Sequence, residues 1–229
     1  MPLNRNFGGR IAGRPAVAFL AFAGVIGAVL VGQGGLDTVV GCGMISDDYP
    51  SQTAKDWVTH ADQVVIATPE REEETNRQDF KSGQYAYRTD RTVTFRTDNV
   101  LWTSPKRPER SVSKGFDMVA PGWQVYRESG TRIKRTASNA PRLETGHTYL
   151  LALRWTDDGW TVLGEGAAVP FDDGVGDQGE WCGRVLTKED IARGERFSRK
   201  DDDSLEKAVL GQDANAAKRA LDEAEGSGA

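Results

Sequence analysis

The side chains that could do chemistry in this chain are few and widely spaced. Among 229 residues there are two histidines, His60 and His147, and two cysteines, Cys42 and Cys182. Two histidines exclude a multi-histidine metal site within one chain. A cysteine–histidine nucleophile would need a thiol beside one of the histidines, and no local feature of the sequence activates either thiolate. We therefore expect structural roles for these four residues.

The densest polar cluster is the acid- and glycine-rich stretch DDGVGDQGE at 172–180. A flexible loop of this kind could wrap a calcium ion, which takes several oxygen ligands, and the candidate ligands are Asp172, Asp177 and Glu180. The stretch does not match an EF-hand loop, and a solvated turn is the simpler interpretation. Asp172, Asp173 or Glu180 could also serve a hydrolase that uses carboxylates, although a sequence does not give the separation of such groups.

A second candidate site is the basic segment within 126–142. Its cations could bind an anionic wall polymer or lipid headgroups, and the preceding Trp123 could contribute to a ligand face. A solvated loop and a core tryptophan are the structural alternatives. The candidate ligand-binding cations are Arg127, Arg132, Lys134 and Arg135.

Motifs of the common enzyme classes are missing from the sequence. There is no G-x-S-x-G, H-E-x-x-H or P-loop, and no G-x-G-x-x-G in the right context. The net charge is −5, and residues 1–42 contain three arginines and one aspartate, so the remainder carries −7. An acidic body is unsuited to non-specific nucleic-acid binding. We predict no catalytic site, no cofactor and no nucleic-acid partner.

Residues 1–36 have the composition of a targeting segment. Three arginines within residues 1–14 precede 22 uncharged residues, Pro15 to Leu36. A helix of that length reaches about 33 Å, enough to cross a bilayer core of about 30 Å. The arginines predict a cytoplasmic N-terminus and a body outside the membrane. An uncleaved anchor, a cleaved signal peptide and a lipoprotein signal all remain open.

The predicted location sets the expectation for the two cysteines. Disulfides persist in oxidising compartments, so a Cys42–Cys182 bridge is the first of three alternatives. Two free thiols and a lipid-modified Cys42 are the others. The preceding residues, Val39, Val40 and Gly41, have the sizes of a lipobox, but Asp37 puts a charge where such signals normally have none.

The hydrophobic pattern behind this segment predicts a mainly β body. A spacer at 37–52 leads to a helix from Thr53 to His60, and the charged segments 70–82 and 126–142 are predicted to be surface loops. The resulting antiparallel meander is typical of a small closed or partly open barrel. About five strands are expected from alternation and apolar runs: 63–68, 85–102, 111–120, 147–155 and 160–163, with 167–171 continuing the last.

Residues 184–229 are predicted to form a helical extension of a β domain at 53–183. Helix-start signals at Thr187 and Asp203 precede an amphipathic pattern that breaks at Gly211. The extension could pack on the barrel or form a separate tail. Either way, the chain divides into an N-terminal segment, a spacer, a β domain and a helical end.

Four stretches in order, "HADQVVIAT", "RTVTFRTDNVLWTS", "LETGHTYLLALRW" and "GWTVLGEGAAVPF", resemble the netrin-like, TIMP-type OB barrel over roughly residues 61–171. That family has an A-D-x-V-V strand, a T-F-x-V-x-x-V-x-x-G strand and an L-x-x-G-x-x-Y-L-L hairpin. The resemblance implies a small OB-like barrel. The chain is also similar to secreted or membrane-anchored actinobacterial proteins.

In the TIMP-type members, the amine of an N-terminal cysteine chelates the zinc of a protease. Cys42 lies about 20 residues before the first strand, as such a cysteine would. Its amine is within a peptide bond unless processing exposes it, and a fold by itself does not transfer a function. The resemblance therefore adds a fold and no activity.

These features together predict a non-enzymatic binding or interaction protein, either membrane-anchored with an extracytoplasmic domain or secreted. Its predicted partners are the membrane, through the N-terminal helix, and an unidentified protein or envelope ligand. A secreted carboxylate-dependent hydrolase is one alternative. A binder of cell-envelope polymer through the basic segment is the other.

Overall fold

The computed structural model describes residues 36–43, 48–112, 114–197 and 203–227. The predicted targeting segment, 1–36, lies outside these ranges except for Leu36, so the predicted anchor stays a prediction. Among the described residues, no helix has both the length and the apolar character needed to span a membrane.

The described ranges contain ten strands and four α-helices. The strands are β1 (Gly41–Gly43), β2 (Gln63–Asp79), β3 (Tyr85–Thr103), β4 (Gly115–Tyr126), β5 (Arg132–Ala137), β6 (Tyr149–Thr156), β7 (Gly159–Val162), β8 (Ala168–Pro170), β9 (Gly179–Trp181) and β10 (Arg184–Leu186). The helices are α1 (Ala54–His60), α2 (Lys188–Ala192), α3 (Leu205–Ala208) and α4 (Ala214–Gly226), and a 3₁₀ turn (Glu165–Ala167) precedes β8.

One eight-stranded sheet forms most of the fold, which confirms the predicted mainly β class. The strand order is β1-β5-β4-β3-β2-β6-β7, and β8 pairs with β6. A parallel contact between Met118 of β4 and Trp160 of β7 closes the strands into a ring. The predicted five strands correspond to β2, β3, β4, β6 and β7. The sequence did not predict β1, β5, β9 or β10.

The predicted surface loop at 70–82 is wrong. β2 continues to Asp79 beside β3, with several register shifts along the pair. No residue from 70 to 79 is buried, so this part of the strand has no apolar phase that a sequence pattern could display. Cross-strand ion pairs accompany the extension instead, Arg96 with Glu70 among them.

The second predicted loop, 126–142, is also wrong in part, because β5 lies within it and pairs with β4 and β1. The predicted strand at 111–120 begins later, at Gly115, and passes through Pro121 to end at Tyr126. Pro121 lies opposite Asp90, beside a register shift. A bulge is a position where a strand tolerates a residue without an N–H.

The apolar run of β2 is buried on both sides. Val64 and Ile66 lie in one core cluster, together with Trp57 of α1. Val65 and Ala67 lie in a second cluster formed with the other strands of the ring. A continuous apolar run, rather than an alternating one, is the pattern of a strand with two covered faces.

The helices that follow the ring complete the first of these clusters. Leu205 of α3 and Ala217 and Leu221 of α4 are buried in the same cluster as Trp57. The described residues from Leu36 onwards belong to one compact unit. In the structure, the helical extension thus packs on the body as part of its core.

Side-chain caps fix where the helices begin. Thr53 and Thr187 cap α1 and α2 through capping boxes, as the sequence patterns predict. The cap of α3 is Ser204, whose hydroxyl accepts a hydrogen bond from the backbone of Lys207. The predicted start at Asp203 was therefore one residue early.

Candidate functional site

The candidate site lies along the edge of β4, where β4 has two successive neighbours. β5 pairs with residues 123–125 of this strand, whereas β7 contacts it at Met118 alone. Between these contacts, residues 119–122 have no ladder partner on that edge within the described part of the chain. A cavity of about 160 Å³ lies here between β4, β5 and β7, and we call it the seam cavity.

The wall of the seam cavity is mostly apolar. Val119 is 52% exposed, so the cavity reaches the surface beside it. A dry cavity of similar volume in another protein accepts a benzene-sized molecule. The apolar side chains of the wall include Met118, Val119, Ala140, Leu143, Val162 and Ala168, and its charged residues are Arg91, Arg135, Arg142 and Glu165.

Arg142 lies where the ladder between β4 and β5 is interrupted. Its Nη1 is within hydrogen-bonding distance of the carbonyl oxygens of Pro121, Gly122 and Arg135, at 3.0, 2.8 and 2.6 Å. Its Nε donates to the carboxylate of Glu144. A buried guanidinium thus supplies the donors that a neighbouring strand would supply, and it links β4 to β5.

The third nitrogen of this guanidinium, Nη2, is buried and has no hydrogen-bond partner among the described residues. A buried donor without a partner costs about 1–3 kcal/mol, more when it is charged. Burial, reinforced by the positive charge of Arg91, lowers the pKa of Arg142 to about 10 despite the opposing charge of Glu144. The cavity wall therefore contains a cation with an unused donor.

Arg91 is the second buried arginine of the wall, and all of its nitrogens are used. It forms an ion pair with Glu72 and donates to the carbonyl oxygens of Pro121 at 3.2 Å and Leu143 at 2.7 Å. Its side chain points to the same face of β3 as Val93. The role of Arg91 is to hold the 143 segment against the sheet.

Two further residues fix the segment that carries Arg142. The hydroxyl of Tyr149 donates to the carbonyl of Arg142 and accepts from the backbone N–H of Glu144, both at 2.9 Å. Burial raises the pKa of Tyr149, so the hydroxyl stays protonated. Burial also acts to raise the pKa of Glu144, but the charges of Arg142, Arg91 and Lys134 outweigh it and lower the pKa.

Arg135 is the last cation of the wall. Its Nη1 donates to the carbonyl oxygen of Thr89 at 3.0 Å and lies 3.5 Å from Asp90. Burial, followed by repulsion from Arg88, lowers the pKa of Arg135. Of the five residues predicted to bind a ligand, it is the one that lines the cavity.

The other predicted basic residues are used inside the structure. Arg127 lies in the turn after β4 and donates to the carbonyl oxygens of Phe80, Gly83 and Tyr85. It therefore closes the end of the long β2–β3 hairpin. This role is structural, and sequence pattern alone did not indicate it.

The remaining members of that set lie on β4 and β5. The guanidinium of Arg132 stacks on the ring of Trp123, 3.8 Å from its centroid, and pairs with Glu74. Lys134 donates to both oxygens of Glu180. Although burial lowers the pKa of Lys134, the contact with Glu180 outweighs it and raises the pKa. These cations form no common free patch.

The predicted calcium ligands Asp172 and Asp177, like Glu180, accept hydrogen bonds from neighbouring residues. Asp172 accepts hydrogen bonds from His147 Nδ1 and Gln178. Asp177 accepts from the backbone N–H groups of Asp173 and Gln178. Across the described ranges, no group of three or more His, Cys, Asp or Glu side chains could hold a metal ion. The calcium site predicted from this stretch is thus not formed there.

The pair of His147 and Asp172 was not predicted. Their contact is 2.7 Å, and Asp172 also accepts from the backbone N–H of Thr148. The hydrogen bond that His147 donates to Asp172 outweighs burial and raises the pKa of His147. Burial acts to raise the pKa of Asp172, but the hydrogen bonds from His147, Thr148 and Gln178 lower it. The pair ties the start of β6 to the acidic turn.

A disulfide joins Cys42 and Cys182, with the Cα atoms 5.5 Å apart. Cys42 lies opposite Thr136 in the parallel pairing of β1 with β5. Thr136 and Ala137 both line the seam cavity. The ladder therefore places β1 along the edge of the strand that walls the cavity, and the bridge ties β1 to the connection between β9 and β10.

No protein-family model, curated protein or solved structure matches the chain. The class of the protein is thus defined by its geometry, which is a mainly β ring with an apolar cavity at its seam. Sequence reasoning missed Arg91 and Arg142. The one signal for Arg91 was its position in phase with Val93 and Phe95, which marks an arginine on the buried face of a strand.

Proposed function

We propose that this chain is an extracytoplasmic binding protein, membrane-anchored or secreted, that takes its ligand into the seam cavity. The observation that carries the proposal is a preformed, mostly apolar cavity whose wall includes a buried and incompletely paired arginine. Sites for small molecules are usually concave and apolar, with a few polar groups that orient the ligand.

We also propose that the ring is an OB-like barrel of the netrin type. Its support is the order of β2, β3, β4, β6 and β7 and the contact that brings β7 back to β4. The same strands carry the motifs that resemble that family. In this arrangement, the seam cavity lies beside the single-residue contact between β4 and β7 that closes the ring.

The extracytoplasmic location is supported by the disulfide between Cys42 and Cys182, because such bonds persist in oxidising compartments. The uncharged segment from Pro15 to Leu36 behind its arginines supports a membrane anchor or a signal peptide. Protease treatment of intact cells that produce the tagged chain tests this location. We expect digestion of the body without lysis, and a protected, reduced protein in the cytosol would overturn it.

A binding role without catalysis agrees with how the acids are used. Asp172 and Glu180 each accept hydrogen bonds from fixed neighbours, and Asp173 forms an exposed pair with Lys188. A hydrolase built on these carboxylates would require them to release their partners. The binding proposal requires no such rearrangement.

The use of the seam cavity is tested with a small uncharged probe. In methyl NMR spectra of the purified full chain, we expect toluene to shift the resonances of Met118, Val119 and Val162. Ala140→Phe places a ring in the cavity and should abolish these shifts. Val100→Phe, an enlargement at a 42% exposed position of β3 away from the cavity, should leave them unchanged.

Two outcomes decide this experiment. Loss of the shifts in Ala140→Phe alone supports the cavity as a binding site. Equal shifts in both variants, with the unfolding midpoints of both close to that of the wild type, would overturn the proposal, since toluene would then be bound elsewhere.

A further inference from the structure

We infer that the ligand of the seam cavity is a small organic carboxylate whose apolar part is about the size of a phenyl ring or a short branched chain. The inference rests on the proposed function and adds the chemical class of the ligand. It depends on three properties of the cavity, which are its volume, the sign of its charged wall and the unpaired nitrogen of Arg142.

The volume limits the size of the ligand. The cavity of about 160 Å³ has room for one ring and a small polar group. Ala140, Leu143 and Val162 supply the apolar contacts, and the exposed edge of Val119 marks where a ligand would enter. A small molecule fits such a space better than an extended chain.

The charges on the wall favour an anion. Three of its four charged side chains are arginines, and the fourth is Glu165. The carboxylate of Glu165 accepts a hydrogen bond from Asn139. A cationic ligand would therefore meet two nearly buried guanidinium groups, those of Arg91 and Arg142, with no free carboxylate between them.

The unpaired nitrogen gives a specific reason for a carboxylate. Each of the three nitrogens of Arg91 already donates a hydrogen bond, to Glu72, Pro121 and Leu143. Arg142 uses Nη1 and Nε, so Nη2 is the donor that remains. A carboxylate oxygen that reaches Nη2 would accept a charge-assisted hydrogen bond from it, whereas Nη1 and Nε are already used by β4, β5 and Glu144. A purely apolar ligand would leave Nη2 buried and unpaired.

The test compares two probes of the same shape. Phenylacetate and phenylacetamide are titrated into the purified full chain and followed by methyl NMR at neutral pH. A charge-assisted hydrogen bond in a buried site predicts that phenylacetate binds at least about ten-fold more tightly. We expect Ala140→Phe to abolish the binding of both probes and Val100→Phe to leave both affinities within about two-fold.

A variant of Arg142 tests whether its guanidinium binds the carboxylate of the ligand. Arg142→Lys keeps a positive charge but loses the fork of donors, and we expect it to reduce the preference for phenylacetate to less than about three-fold. If this variant does not fold, the wild type and Ala140→Phe still decide the question with the two probes.

The outcomes separate this inference from the proposed function. Equal affinities for the two probes, both lost in Ala140→Phe, would overturn the carboxylate class and leave the binding cavity in place. Failure of both probes and of toluene would overturn both. A preference for phenylacetate that survives Ala140→Phe would place the anion at another arginine and would also overturn the inference. Tighter binding of the peptide Gly-Gly-Phe than of phenylacetate would replace the small molecule by a polypeptide C-terminus.

Discussion

At the scale of single residues, Arg142 links the architecture of this protein to its candidate site. Its guanidinium replaces missing strand donors on three carbonyl oxygens, and the same group leaves one donor beside the cavity. The sequence around it, Pro141-Arg142-Leu143, has no feature that predicts burial of a charge. The role becomes visible only when β4 and β5 are placed in space.

Removing this guanidinium should therefore destabilise the fold strongly. We expect Arg142→Leu to lower the free energy of unfolding by about 3–5 kcal/mol, because Glu144 and three carbonyl oxygens lose their partner. Arg96→Gln removes exposed ion pairs with Glu70 and Asp98 and should cost less than about 1 kcal/mol. Urea unfolding of the oxidised proteins measures both, and similar losses in the two variants would contradict this role.

The pair of His147 and Asp172 should make stability depend on pH in a defined direction. The raised pKa of His147 means that its contribution is complete below the ordinary histidine value of about 6.5 and is lost as pH rises through the folded value. The lowered pKa of Asp172 means that its contribution is present above about 3.9 and is lost as pH falls through its folded value. The pair is thus strongest between these limits.

We expect the difference in unfolding free energy between the wild type and His147→Gln to be larger at pH 5.5 than at pH 8.5. In NMR titrations, Asp172→Asn should lower the pKa of His147, because it removes the carboxylate that stabilises the charged ring. An unchanged His147 titration in Asp172→Asn would show that the pair does not control this group.

At the scale of elements, the hydrophobic pattern predicted the strands that have at least one buried face. β3 alternates because one face meets the core, and the apolar run of β2 is continuous because both faces do. The end of β2 and the whole of β5 were missed. In these segments, ion pairs such as Arg132 with Glu74 replace apolar contacts, so no apolar period marks the strand.

Just after Pro121, Gly122 of β4 lies very close to the backbone of β3. A Cβ there would lie 2.7 Å from the carbonyl oxygen of Asp90 and 2.9 Å from that of Thr89, both backbone atoms. We expect Gly122→Ala to lower the free energy of unfolding by about 1–3 kcal/mol. Gly43→Ala is the control in a strand, since its nearest neighbour would be a Thr136 oxygen at 3.9 Å. Equal effects in urea unfolding would contradict the steric argument.

At the scale of the whole molecule, one disulfide and one helical layer join distant parts of the chain. The bridge links residues separated by 140 positions and attaches β1, which pairs with β5, to Cys182. α3 and α4 cover the same core cluster as α1, which the amphipathic pattern of the C-terminal segment allowed but did not require. The sequence pattern predicted many of the elements, but it did not predict the contacts between them.

The disulfide should contribute substantially to stability because it closes a long loop. The chain-entropy model gives about 4–5 kcal/mol for a loop of this length. We expect the free energy of unfolding of the double variant Cys42→Ala/Cys182→Ala to be lower than that of the oxidised wild type by about this amount. The reduced wild type should behave like the double variant, and a reduced protein as stable as the oxidised one would show that the bridge constrains little.

Most of the candidate site was beyond prediction for a physical reason. Of the residues named from sequence, Lys134 and Glu180 pair with each other and do not line the cavity. The wall itself is made of ordinary apolar side chains from separate strands and a loop, and none of them is distinctive in sequence. A cavity at the seam of a ring is a property of the assembled strands.

The most direct test is to determine where a small aromatic carboxylate binds on the protein. Intermolecular NOEs between the ring protons of phenylacetate and the methyl groups of the full chain measure this. We predict NOEs to Met118, Val119, Leu143 and Val162 in the seam cavity. NOEs confined to methyl groups elsewhere, such as those of Ile191, which lines a different cavity together with residues 173–177, would contradict the central claim.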